Sequence, residues 1–182
     1  MSGDRYSISN QNGIYFLTLT VVDWVDLFAR KDYSLVITDS LNFCIKEKGL
    51  EVIAYVIMSN HIHLVCKVNE PFKLSEVLRD FKKHTSKQFI KTILEINESR
   101  KDWLLNKFAF EAHRIGRATN YKIWKDDNHA IEIGDYIDIE QKVNYIHNNP
   151  VNAMIVVNAE DFIFSSARDY SDLKGYVNVT RY

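Results

Sequence analysis

Leu50-Glu51-Val52-Ile53-Ala54-Tyr55-Val56-Ile57-Met58-Ser59-Asn60-His61-Ile62-His63-Leu64-Val65-Cys66-Lys67-Val68 is the stretch that decides the fold. Residues 50–58 and 61–68 are apolar and rich in β-branched side chains, which is strand composition. Ser59-Asn60 between them is a tight turn signal, so the two strands must pair as an antiparallel hairpin. Side chains alternate along a strand, which places His61 and His63 on one face and Ile62 on the other. Burying two imidazoles costs free energy unless each is hydrogen-bonded or ligates a metal. The pair is therefore a candidate for two ligands of a divalent ion, with a third ligand needed from elsewhere.

Outward from this hairpin, Ile14-Tyr15-Phe16-Leu17-Thr18-Leu19-Thr20 reads as an earlier strand, and residues 23–32 as loop or short turn. Thr38 or Asp39 is placed to cap a helix that runs to about Lys48, before Gly49. A long helix is expected over about residues 75–93, where Val77, Leu78, Phe81, Thr85, Phe89 and Ile93 follow helical spacing. Another is expected over 102–112. Residues 114–120 read as a basic loop, and Tyr121–Trp124 and 130–133 as short strands. Asp138 with Gln141 forms a capping-box pattern for a helix that ends at Pro150. On that helix Ile139, Val143 and Ile146 share one face, while Gln141, Tyr145 and Asn149 share another. A short helix is expected near 165–170. The order strand, helix, strand, strand, helix, strand predicts a ferredoxin-like α+β sandwich, one antiparallel sheet with helices packed on one face.

Composition narrows the classes. At 182 residues, 46% hydrophobic and with two prolines, the chain fits one ordered domain. It carries no apolar run of the ~20 residues that span a bilayer and no signal-peptide pattern at Met1–Arg5, so a cytoplasmic protein without a membrane partner is expected. Cys44 and Cys66 read as buried thiols. The net charge of −1 conceals an uneven distribution. Residues 73–125 hold 13 Lys/Arg against 6 Asp/Glu, and residues 126–182 hold 4 against 10. The basic middle suits a nucleic-acid backbone held in a local groove, the other reading being a solvated helix face.

The strand Met58-Ser59-Asn60-His61-Ile62-His63-Leu64-Val65 resembles the HxH strand of the single-tyrosine transposases of the IS200/IS605 type. Residues 74–85 are similar to the basic helix that follows it there. Tyr145-Ile146-His147-Asn148-Asn149-Pro150-Val151 resembles the tyrosine box of the REP-associated tyrosine transposases within that group. The resemblance covers residues 14–170. It implies an HUH endonuclease, cutting and rejoining single-stranded DNA near hairpins through a 5′-phosphotyrosine intermediate. It further implies Tyr145 as nucleophile, and His61, His63 and Asn149 as ligands of Mg²⁺ or Mn²⁺. Asn149 stands where the insertion-sequence branch carries Gln, a departure that favours the REP-associated branch. Phosphate contacts are expected from Lys82, Lys83, Lys87, Arg114 and Arg117, and base stacking from Trp124; the alternatives are solvated helix charge and core. Residues 14–150 are expected to form the catalytic domain and 151–182 an extension packed on it. The active form would be a monomer or a homodimer. The alternative function is an inactive domesticated relative that binds structured single-stranded DNA; a third reading is a hydrolase with a water nucleophile.

Overall fold

The computed structural model describes residues 7–116 and 120–182, the side chain of residue 137 excepted. Four strands form one sheet: β1 (Tyr15–Thr20), β2 (Leu50–Ile57), β3 (His61–Val68) and β4 (Ile131–Glu132). The order is β2-β3-β1-β4, with every adjacent pair antiparallel. The helices are α1 (Lys31–Glu47), α2 (Leu74–Glu95), α3 (Lys101–Ile115), α4 (Tyr136–Asn152) and α5 (Ala167–Tyr170). This is the expected ferredoxin-like α+β architecture. No helix among the described residues is long and apolar enough to cross a membrane.

The sheet is covered on both faces. Leu17, Leu19, Ile62, Leu64 and Cys66 face a core closed by Ile37 and Leu41 of α1, Phe81 and Phe89 of α2, and Phe108 of α3. Phe16, Val56 and Val65 face the other way, against Ile139, Val143 and Ile146 of α4. The helices therefore do not share one face, as the sequence reading had them; α4 lies alone opposite the rest. Near-continuous apolar composition in β2 and β3 is the mark of two-sided burial. The strands also break strict alternation. A bulge between Val52 and Ala54 turns both Ile53 and Ala54 toward α4, because an extra residue shifts the phase of one strand against its partner.

Several boundaries move for identifiable reasons. α1 starts at Lys31, well before the expected cap at Thr38. Tyr33, Ser34 and Ile37 already bury on the sheet side, and the Thr38 hydroxyl donates back to the Leu35 carbonyl within the helix. α4 starts at Tyr136, capped by Asp135, whose carboxylate accepts from the Asp138 amide. It also runs through Pro150 to Asn152. In the final turn a proline removes one amide, and the following amides are still taken up, Ala153 by the Asn149 carbonyl and Ile155 by that of Pro150. Tyr121–Trp124 forms no strand, only one bridge between Trp124 and Val21.

The segment after α4 returns to the free edge of β2. Ser165 bridges Val56, Ile57 donates to the Phe164 carbonyl at 2.9 Å, and Thr180 donates to that of Val52 at 2.8 Å. Covering this edge satisfies backbone groups that would otherwise invite another strand. Cys44 and Cys66 are buried free thiols.

Candidate active site

The sheet register builds the site. Thr18 of β1 lies opposite His63 of β3, and Thr20 opposite His61. All four side chains project from the face that α4 partly covers. The Thr18 hydroxyl and His63 Nδ1 are 3.0 Å apart. Asn60, in the hairpin turn, accepts from His61 Nδ1 at 2.6 Å. The two Nε2 atoms meet at 3.1 Å. Phe16 stacks on His63 with ring centres 5.3 Å apart and an interplanar angle of 24°.

This chain of contacts fixes the protons. Asn60 Oδ1 is an acceptor, so His61 carries its proton on Nδ1 and turns a bare Nε2 toward His63. Without a cation, His63 Nε2–H donates to that nitrogen and the Thr18 hydroxyl donates to His63 Nδ1. Both rings are held neutral. Burial lowers the pKa of His61. Burial, then repulsion from His61 and His129, pushes His63 down to about 3.

The donor set fits a divalent metal. The two Nε2 atoms, 3.1 Å apart, are close enough to serve one divalent ion together. Holding it needs His63 protonated on Nδ1, where the Thr18 oxygen then accepts, the usual support for a ligating imidazole. Among the described residues no cluster of three or more His, Cys, Asp or Glu side chains forms, so further ligands must be amide, substrate or solvent oxygens. Asn149 is half-buried one turn beyond Tyr145 and is not among the side chains lining the cleft.

α4 brings Tyr145 to the same place. With Ile146 fully buried against the sheet, the preceding residue turns to the helix flank. Its ring stands edge-on to both His63, at 5.4 Å, and Phe16, at 5.8 Å. It is 49% exposed. Tyr145 and His63 share an open cleft of about 460 Å³ with Trp24, Lys125, His129 and Lys142. Next in the tyrosine box, His147 is buried and donates from Nε2 to Ser166 Oγ at 2.8 Å. Ser166 Oγ also accepts from the Tyr55 amide and donates to the Tyr55 carbonyl, which uses its single proton and both lone pairs. α4 is thereby tied to β2 through the chain that follows it.

The expected nucleic-acid contacts separate. Lys83 and Lys87 are exposed on α2 and line a groove of about 740 Å³ with Arg79, Lys122 and Lys125. Lys125 also lines the cleft, so groove and cleft adjoin. Lys82 lies in the same groove, but its ammonium donates to the Lys125 carbonyl at 2.7 Å and its pKa is lowered to about 8, chiefly by burial. It fastens the segment carrying Lys125 to α2. Arg114 is exposed at the end of α3 and pairs with Glu111 at 2.8 Å. Arg117 lies outside the described residues.

Trp124 does not offer a stacking surface. It is 4% exposed, donates from Nε1 to Thr85 Oγ1 at 2.9 Å and is packed among Phe28, Phe81 and Phe89. The exposed tryptophan in the cleft is Trp24, in a segment read only as loop. Thr18 was also missed, although its alternation with Leu17 and Leu19 marks the polar face of β1.

The family model described as IS200-like transposase matches residues 26–114. Over that span, just under half of the chain, the sequence is similar to IS200-like transposases. The matched span holds His61, His63 and α2, and ends before Tyr145. A solved structure of a REP-associated tyrosine transposase bound to a REP hairpin superposes with a TM-score of 0.64 at 20% identity, over 100% of this chain and 94% of that one. The two share this fold. A putative transposase from Deinococcus radiodurans R1 aligns more loosely, with a TM-score of 0.44 and 13% identity over 81% of this chain and 96% of that one. No curated protein matches by sequence.

Proposed function

We propose that this protein is a transposase of the IS200-like kind, a metal-dependent endonuclease and strand transferase. It cleaves and rejoins single-stranded DNA beside hairpins through a 5′-phosphotyrosine on Tyr145. The observation that carries the reading is the convergence of a half-exposed tyrosine with two neutral imidazoles whose Nε2 atoms lie 3.1 Å apart. The hairpin-bound structure that shares this fold supports hairpin-forming repeats as the substrate class.

His61 and His63 would hold Mg²⁺ or Mn²⁺, with Asn149 as the proposed third protein ligand. When bound, the ion would polarise a non-bridging oxygen of the scissile phosphate and offset charge that grows there. Asn60 and Thr18 keep the two rings in the tautomers this needs. Phe16 fixes the plane of His63 and the position of Tyr145 together. The Tyr145 oxygen attacks phosphorus as its proton passes to solvent, and the P–O bond to the 3′-oxygen breaks as that oxygen takes up a proton from solvent. The phosphodiester is exchanged for a phosphotyrosine of similar energy, so another 3′-OH reverses the step without ATP. Lys83 and Lys87 guide the strand along the groove, and Lys125 stands where groove meets cleft.

Incubating the protein and Mn²⁺ with a 3′-labelled hairpin oligonucleotide carrying single-stranded flanks tests this. A denaturing gel should show label transferred to protein, and Tyr145→Phe should bind the oligonucleotide yet transfer none. Cleavage without adduct would replace this mechanism with attack by water. Binding with no cleavage under any divalent ion would leave the inactive DNA-binding relative.

A further inference from the structure

Trp24 combines three unusual properties. It is 63% exposed, although large aromatic side chains ordinarily bury. Its backbone is left-handed, φ 52°, directly after Asp23 at φ 53°. Neither is glycine, and such residues are held only where surrounding structure over-determines them. The third property is its place, on the wall of the cleft that contains His63 and Tyr145.

What holds the turn is visible on each side. Val22 and Val25 are buried and anchor it from within. Val22 donates to the Ile123 carbonyl at 2.7 Å, and Trp24 to that of Val21 at 3.1 Å. Asp23 forms an ion pair with Lys107. Asn60 donates from Nδ2 to the Trp24 carbonyl at 3.4 Å while its Oδ1 accepts from His61. One side chain thus sets the distance between the Trp24 turn and the paired histidines. The Lys125 ammonium sits 3.1 Å from the centre of the indole ring, a cation–π contact on one face. With that face covered and the residue still mostly exposed, the opposite face is open to solvent.

We infer that Trp24 is a stacking platform for one unpaired nucleobase of the DNA strand, with Lys125 placed for a phosphate next to that base. A flat π surface takes any base, and the ammonium held over its other face supplies positive charge for the adjoining phosphate. The rigid turn makes the platform preorganised, so it fixes the strand's register relative to Tyr145 rather than only adding affinity. This inference rests on the proposed function for the identity of the strand but not for the chemistry on it.

The test uses the full chain and a hairpin oligonucleotide with single-stranded flanks, with an abasic site moved through each flank position in turn. Circular dichroism and melting confirm that the variants fold. For the intact oligonucleotide, Trp24→Ala should weaken binding about 10-fold or more, within the range measured for loss of base–aromatic stacking, and Trp24→Phe should recover most of it. One abasic position should weaken binding to wild type by a similar factor and make no difference to Trp24→Ala. That coupling is a readout that a structural role would not produce. Unchanged affinity in Trp24→Ala, or a loss uncoupled from every abasic position, would overturn the inference, as would failure of wild type to bind the flanks. If coupling is found but no adduct forms, the platform stands and the tyrosine chemistry fails.

Discussion

Replacing Thr18 by valine removes one oxygen from the support of His63 and hardly changes volume. His63 is 6% exposed, and its Nδ1 contacts the Thr18 hydroxyl at 3.0 Å. In Thr18→Val that nitrogen is left buried without its partner, a loss worth about 1–3 kcal/mol of folding stability. The same substitution removes the acceptor that keeps the proton on Nδ1 when Nε2 ligates a cation. Losing such support typically weakens metal binding by about 10–100-fold, or about 1.4–2.8 kcal/mol. Urea unfolding without metal measures the first effect. Calorimetric Mn²⁺ titration, together with the Mn²⁺ midpoint for cleavage, measures the second. The expected pattern is lower stability, a midpoint raised by at least 10-fold, and near-normal cleavage at saturating Mn²⁺. Thr18→Ser keeps the hydroxyl and should keep the wild-type midpoint. A folded Thr18→Val protein with an unshifted Mn²⁺ midpoint would refute the assignment of His63 as a ligand supported through Nδ1.

Three further outcomes follow from the same geometry. Trp124→Ala should destabilise the fold by about 3–5 kcal/mol in urea, because the ring fills the core between α2 and the sheet; a loss below 1 kcal/mol would contradict that packing. Lys83→Glu with Lys87→Glu should weaken single-strand binding and lower the slope of log affinity against log salt by about 1–2; an unchanged slope would place the strand elsewhere. His147, lowered to about 4 by burial, binds a proton more readily when unfolded. Its contribution to stability is therefore present above the ordinary histidine value and is lost as pH falls from about 6.5 toward 4. His63 acts in the same direction. Unfolding free energy should fall across that window by up to about 3 kcal/mol from His147 alone, and His147→Gln should show a shallower fall; identical slopes would exclude His147 as a source.

The sequence by itself determined the elements that local physics specifies. Unbroken apolar runs on either side of Ser59-Asn60 dictated a hairpin, and the alternation rule put His61 and His63 side by side. Helical spacing from Val77 to Ile93 dictated α2 and left Lys83 and Lys87 outside. Tyr145 was legible as a residue off the apolar face of its helix. Each of these depends on residues close together in the chain, where periodicity and turn chemistry act directly.

Only the tertiary structure decided which distant residues meet. Pairing of β1 with β3 set Thr18 under His63, a register fixed by packing on both faces of the sheet rather than by either strand alone. The position of α4 opposite the other helices brought Tyr145 to His63, and no periodicity within α4 carries that choice. Trp24 and Trp124 are the same residue type and each has a lysine neighbour in space or sequence. Contacts with Thr85, Phe81 and Phe89 drew one into the core, and a turn anchored by Val22, Val25 and Asn60 held the other in the cleft. Burial is a property of the packed whole, so the sequence named the chemical groups and the fold chose which of them face the substrate.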